Sequence, residues 1–91
     1  MGEGLVEKAL LLTAHAQIRL HGRDIDHRWI ERTARDPDWT SVDPRDPTLE
    51  RRYKVIPEFG HRILRVVCAE TDSTIRVISV LFDRNARRRH D

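Results

Sequence analysis

The chain has 91 residues, 38% of them hydrophobic and 35% charged, with a formal net charge of +2. That length allows one modest core, so a second domain is not expected, and its apolar residues cluster into periodic segments rather than thinning evenly as in a disordered chain. The lone Cys68 rules out an intrachain disulfide, and no apolar run exceeds that of Ala9 to Leu12, far short of a membrane span.

In chain order, Glu3 and Glu7 stand where a secretion signal would carry basic residues, which points to a cytoplasmic protein. Thr13 is placed to cap a helix running to about His21 or Gly22, its hydroxyl accepting from a first-turn NH. Leu10 to Leu12 fits either an extended segment or one longer helix, and propensity favours the longer helix. His15, Arg19 and Arg23 recur every fourth residue and so share a helix face. Like charges at that spacing repel by about 0.2–0.5 kcal/mol per pair, a cost that an anionic partner would offset. Gly22 is the natural stop, and Asp24 or Asp26 caps a second helix over about His27 to Arg35. Trp29, Ile30, Thr33 and Ala34 form one stripe of that helix, the pattern of a helix lying on a core.

The pairs Asp36-Pro37, Asp43-Pro44 and Asp46-Pro47 mark residues 36–49 as a loop, because proline lacks a donor and bars the preceding residue from helix. From Arg51 the apolar period falls to two. "RRYKVIPE" reads as an edge strand ending at Pro57, "HRILRVVCAET" as a central strand and "STIRVISVLFD" as a third. A three-residue hairpin at Thr71 to Ser73 would set Leu64 against Val80, Val66 against Ile78 and Arg65 against Ser79, so that apolar meets apolar. Leu64, Val66, Cys68, Ile78, Val80 and Phe82 then form the core face, beneath Trp29 and Ile30. Residues 83–91 close the chain as a short basic helix or tail.

The expected architecture is a single α+β domain over residues 1–91: helices within about 13–35, a proline-rich loop at 36–49, three antiparallel strands within about 51–82, and a basic tail at 83–91. Charge is unevenly divided, with a net −3 over the first 50 residues and +5 over the remainder. A basic half of this kind reads either as a footprint for a polyanion or as an ordinary solvated face.

"TAHAQIRLHGRDID", "ERRYKV" and "IRVISVLF" resemble the signature of a family of small bacterial domains of unknown function, in which Thr-x-His-Ala precedes two Arg residues four apart and an Ile. The order of elements is similar to BrnT-like toxins of bacterial toxin-antitoxin pairs, within the wider RelE-like group of small ribonucleases. That resemblance implies a RelE-like sheet with its two helices on one side, an RNA substrate and an acidic antitoxin partner, and it places the signature on His15, Ala16, Arg19, Arg23 and Ile25.

Metal-free RNA cleavage needs a base, an acid and fixed cations for the charge that builds on phosphorus. His15 is the titratable candidate, because its unperturbed pKa lies near operating pH, and Arg19 and Lys54 complete the expected catalytic set. Arg23, Arg52, Arg65 and Arg76 are the candidate nucleic-acid contacts, guanidinium groups offering forked donors to phosphate. Tyr53, on the strand face opposite Arg52 and Lys54, is assigned to packing. For a site to exist, His15 and Arg19 must converge with Arg52 or Lys54 on one concave surface. Pairing of His15 and Arg19 with carboxylates such as Glu31 or Asp36 would instead mean a packed helix.

No metal or other cofactor is called for. His15, His21 and His27 are six residues apart, about 240° around a helix, and no Cys pair exists. Cys68 falls on the apolar face of a central strand, where a thiol is inert. The glycines, at positions 2, 4, 22 and 60, form no phosphate loop. The alternative to a toxin-like ribonuclease is a non-catalytic module binding protein or nucleic acid through its basic hairpin, with a homodimer compatible with either reading.

Overall fold

Thr13 separates strand from helix. In the computed structural model, which describes residues 7–22 and 25–86, its hydroxyl accepts from Ala16 N at 3.3 Å and donates to Ile78 O at 3.1 Å. The helix α1 (Ala14–Gly22) therefore starts there, and the three leucines before it are extended. They form β1 (Ala9–Leu12), parallel to the last strand, with Leu10 and Leu12 packed inward and Leu11 49% exposed. The longer helix favoured by propensity is thus not formed. An apolar strand edge to pair with outweighs the weak helical preference of four residues.

The second helix, α2 (His27–Arg35), has the predicted span. Asp26 is its N-cap, accepting from Arg28 N at 2.8 Å, and Pro37 lies two residues beyond its end. Ile30, Thr33 and Ala34 are buried, and the Thr33 hydroxyl is satisfied by Trp29 O at 2.8 Å.

The expectation of a three-stranded antiparallel sheet is overturned. The sheet has five strands in the order β1-β5-β4-β3-β2, with β2 (Trp39–Val42), β3 (Glu50–Ile56), β4 (Arg62–Glu70) and β5 (Thr74–Phe82) antiparallel to their neighbours and β1 parallel to β5. Strand β2 lies inside the span expected to be loop. Pro37 and Pro44 bracket it without entering it, and an edge strand needs ladder bonds on one side only. Strand β3 is consequently interior rather than an edge, and Pro57 opens a short 3₁₀ turn, Pro57–Phe59, at its end.

The β4–β5 register also differs from the expected hairpin. Glu70 faces Ile75, Val66 faces Val80 and Leu64 faces Phe82, while Val67 pairs with Ser79 and Cys68 with Val77, which leaves Ile78 unopposed. This bulge switches the facing of β5 at Ile78. Ile75, Val77 and Val80 are buried with Leu64, Val66 and Cys68, whereas Ile78, expected in the core, turns to the other face.

Both helices lie on one side of the sheet, α1 against β5 and β1 and α2 against β4 and β3, and Ala16 and Ile30 share one core cluster. Trp29, Phe59 and Phe82 close that core at one end, with ring centroids 4.9–6.1 Å apart. Among the described residues no helix is long and apolar enough to cross a membrane.

Candidate nucleic-acid interface

On α1, Thr13, Ala16 and Arg19 all serve the fold. Beyond its pairing with β1, the edge of β5 presents carbonyls that α1 caps in succession: Thr13 N to Val77 O at 3.0 Å, the Thr13 hydroxyl to Ile78 O, and Arg19 Nε to Val80 O at 3.2 Å. Ala16 is fully buried. His15 is exposed and makes no hydrogen bond or ion pair among the described residues. Arg19 is paired with neither Glu31 nor Asp36. Arg23 lies outside the described residues.

Arg52 and Lys54 sit on the helix-facing side of β3, where they close the C-terminal end of α2. Arg52 donates to Ala34 O at 2.6 Å and to Glu50 and Glu70 at 2.8 and 2.5 Å. Burial opposes its charge, but the bonds to Glu70 and Glu50 outweigh that and hold its pKa above the ordinary value. Lys54 donates to Asp36 O at 2.7 Å and pairs with Asp36 and Asp38. A helix C-terminus carries partial negative charge, so cations placed there stabilise it. No hydrogen bond or ion pair among the described residues links these two residues to His15 or Arg19. Strand β4 intervenes between β3 and the β5 edge, and two strand spacings amount to about 10 Å.

Among the described residues, no helix covers the opposite face of the sheet. Its arginines are Arg51 on β3, Arg65 on β4 and Arg76 on β5, joined by Trp39 on β2. Trp39 stacks on the buried Tyr53, with centroids 5.1 Å apart and planes 5° from parallel. Residues 43–49 fold over part of this face and leave an open groove of about 370 Å³ against Arg51, Arg65, Val67, Ile78 and Ser79. Asp43 anchors that loop. It accepts from the backbone of Arg45 and Asp46 and from Arg51 Nε, and these bonds, that of Arg45 first, hold its carboxyl below the usual range despite burial. Arg65 pairs with Asp83 at 3.0 Å, while its Nε is buried without a partner. Arg76 is exposed and makes no ion pair among the described residues.

The sequence profile of a family described as "Domain of unknown function (DUF4258)" matches residues 12–82. The chain belongs to this family. No curated protein and no solved structure matches it. The DUF4258 match begins at the last residue of β1 and ends with β5, so it takes in α1 and the whole β5 edge that α1 caps.

Cys68 is buried within the DUF4258 core and its thiol is pushed up to about 11, first of all by that burial. Among the described residues no group of three or more His, Cys, Asp or Glu side chains is placed to hold a metal ion. A feature that the sequence pattern does not single out lies where β3 turns into β4. There Gly60, His61, Arg62, Ile63, Phe82, Asp83 and Arg84 line a pocket of about 270 Å³. Its sequence signal is slight, a Gly-His-Arg turn and one arginine of the basic tail.

Proposed function

We propose that this DUF4258 domain is a non-catalytic nucleic-acid-binding module that uses the uncovered face of its sheet, with single-stranded RNA as the partner. The observation that carries this reading is the exposed Arg76, without an ion pair among the described residues, on a sheet face that also presents Arg51, Arg65 and Trp39. On the helix side, Arg52 and Lys54 are held by carboxylates and by carbonyls at the end of α2. On the other side, Arg51 and Arg65 are also paired, with Asp43 and Asp83, but Arg76 is exposed with no carboxylate partner among the described residues, and the half-buried Trp39 shares its face. Arginine binds phosphate and an aromatic ring stacks on a base without regard to sequence.

Toxin-like RNA cleavage, and with it an acidic antitoxin, is the weaker reading. It needs a base and cations that all reach one bound phosphodiester, whereas Arg52 and Lys54 are already held by carboxylates and carbonyls. A labelled 12-nucleotide single-stranded RNA, followed by fluorescence anisotropy across a salt series, tests the choice. Arg76→Ala, Arg65→Ala and Arg51→Ala are each expected to weaken binding in a graded way, and the salt slope should fall by about 0.7 for each phosphate no longer neutralised. His15→Ala should change nothing. Absence of binding at low salt would overturn the proposal, and so would RNA cleavage that His15→Ala abolishes, which would establish the ribonuclease instead.

A further inference from the structure

Most arginines and lysines of the described chain are matched to carboxylates: Lys8 to Glu70, Arg28 to Asp26, Arg32 to Glu58, Arg35 to Glu31, Arg51 to Asp43, Arg52 to Glu50 and Glu70, Lys54 to Asp36 and Asp38, and Arg65 to Asp83. Among the described residues Arg19, Arg45, Arg62, Arg76 and Arg84 have no such partner, and of these Arg62 and Arg84 come together, lining the pocket at the β3–β4 turn beside His61. Arg62 is held instead over the Phe59 ring, 5.0 Å from its centroid, an arrangement that positions a guanidinium without neutralising it. The carboxylate in the lining, Asp83, is already engaged. One of its oxygens takes Arg65 Nη1 at 3.0 Å and the other accepts from Asn85 N at 2.9 Å.

The backbone aims the histidine. His61 follows Gly60 with both residues in the left-handed region, at φ of 57° and 66°. A non-glycine side chain is rarely kept there unless its surroundings impose it. The outcome is a pocket with two unneutralised guanidinium groups, an exposed imidazole and an occupied carboxylate, which is the donor set of an oxyanion site.

We propose that this pocket binds a phosphate group, with Arg62, Arg84 and His61 donating to its oxygens. The proposal rests on the nucleic-acid reading above in one respect only, that it gives the pocket the role of holding a terminal phosphate of the strand crossing the adjacent sheet face. The test is an NMR titration of the full chain, following the His61 ring and the arginine Nε–H resonances, with three ligands: inorganic phosphate, a 5′-phosphorylated 12-nucleotide RNA, and the same RNA without its terminal phosphate.

Saturable shifts of His61, Arg62 and Arg84 with inorganic phosphate are expected, and Arg62→Ala or Arg84→Ala should each weaken phosphate binding about tenfold or more. Arg45→Ala, which removes an arginine outside the pocket, should leave it unaltered. His61→Gly relieves the left-handed strain, so it should keep the fold intact while lowering phosphate affinity. A 5′-phosphorylated RNA that binds more tightly than its dephosphorylated form would identify the source as a strand end, and equal binding of the two RNAs with phosphate still shifting His61 would identify a free phosphate compound. No shift at His61, Arg62 or Arg84 with inorganic phosphate overturns the pocket, even where the RNA still binds the sheet face. Phosphate binding without any RNA binding leaves the pocket standing and removes the nucleic-acid reading.

Discussion

Arg19 and His15 stand on the same short helix, yet they answer to different demands. The Arg19 guanidinium satisfies Val80 O where β1 no longer covers the β5 edge. Its removal in Arg19→Ala leaves that carbonyl without a partner, and a destabilisation of about 1–3 kcal/mol is expected. The His15 side chain is exposed and makes no hydrogen bond or ion pair among the described residues, so His15→Ala should stay within about 0.5 kcal/mol of the parent. Urea denaturation of both variants checks this, and equal midpoints would remove the edge-capping role from Arg19. In the sequence, the spacing of His15, Arg19 and Arg23 reads as a cost needing an anion. For Arg19 the answer is a backbone carbonyl, an acceptor that no pattern of side chains announces.

At the scale of elements, α2 is fastened at each end and along its side. Asp26 caps its N-terminus, Arg52 and Lys54 hold its last carbonyls, and Arg32 grips Glu58 of the 3₁₀ turn with two bonds of 2.9 and 3.1 Å. The Arg28 side chain, then its backbone NH, draws the Asp26 carboxyl from 3.8 to about 2, and the Arg32 side chain draws Glu58 from 4.5 to about 2. Both groups bind protons more weakly folded than unfolded, so their contribution is complete above pH 4.5 and is lost as the pH falls toward 2. Thermal melting should therefore be level above that range and decline within it, and Glu58→Gln should flatten the decline. Helix α2 is legible in the sequence because its signals are local: an Asp cap, an apolar stripe and a following proline. Strands β1 and β2 are not, since each has four residues and acquires its conformation from a distant partner, Thr74–Val77 or Glu50–Tyr53. The core face of β5 is half legible. Val80 follows the alternation, but the bulge at Ile78 is a property of the paired strands and inverts the pattern on its other side. Of the candidate site residues, the alternation from Tyr53 correctly puts Arg52 and Lys54 on the opposite face, without showing that the end of α2 occupies it.

For the whole molecule, part of the charge imbalance along the sequence is met by ion pairs between its two halves. Cations of the basic half rest on carboxylates of the acidic half, in Arg51–Asp43, Arg52–Glu50 and Lys54 with Asp36 and Asp38. Among the described residues, the cations of the basic half left without a carboxylate are Arg62 and Arg84 at the β3–β4 turn and Arg76 on the uncovered face, a more selective footprint than the net charge of +5 over residues 51–91 suggests. The parallel pairing of β1 with β5 has a kinetic consequence. Strands β3, β4 and β5 follow one another through short turns, whereas Ala9 meets Thr74 across most of the chain, so loop-closure entropy delays that pairing until the meander exists. Leu10→Ala should then speed unfolding while leaving the refolding arm of the chevron nearly unmoved. Strand β1 is made well before the neighbour it pairs with, and until Val77 is made it has no place to pair.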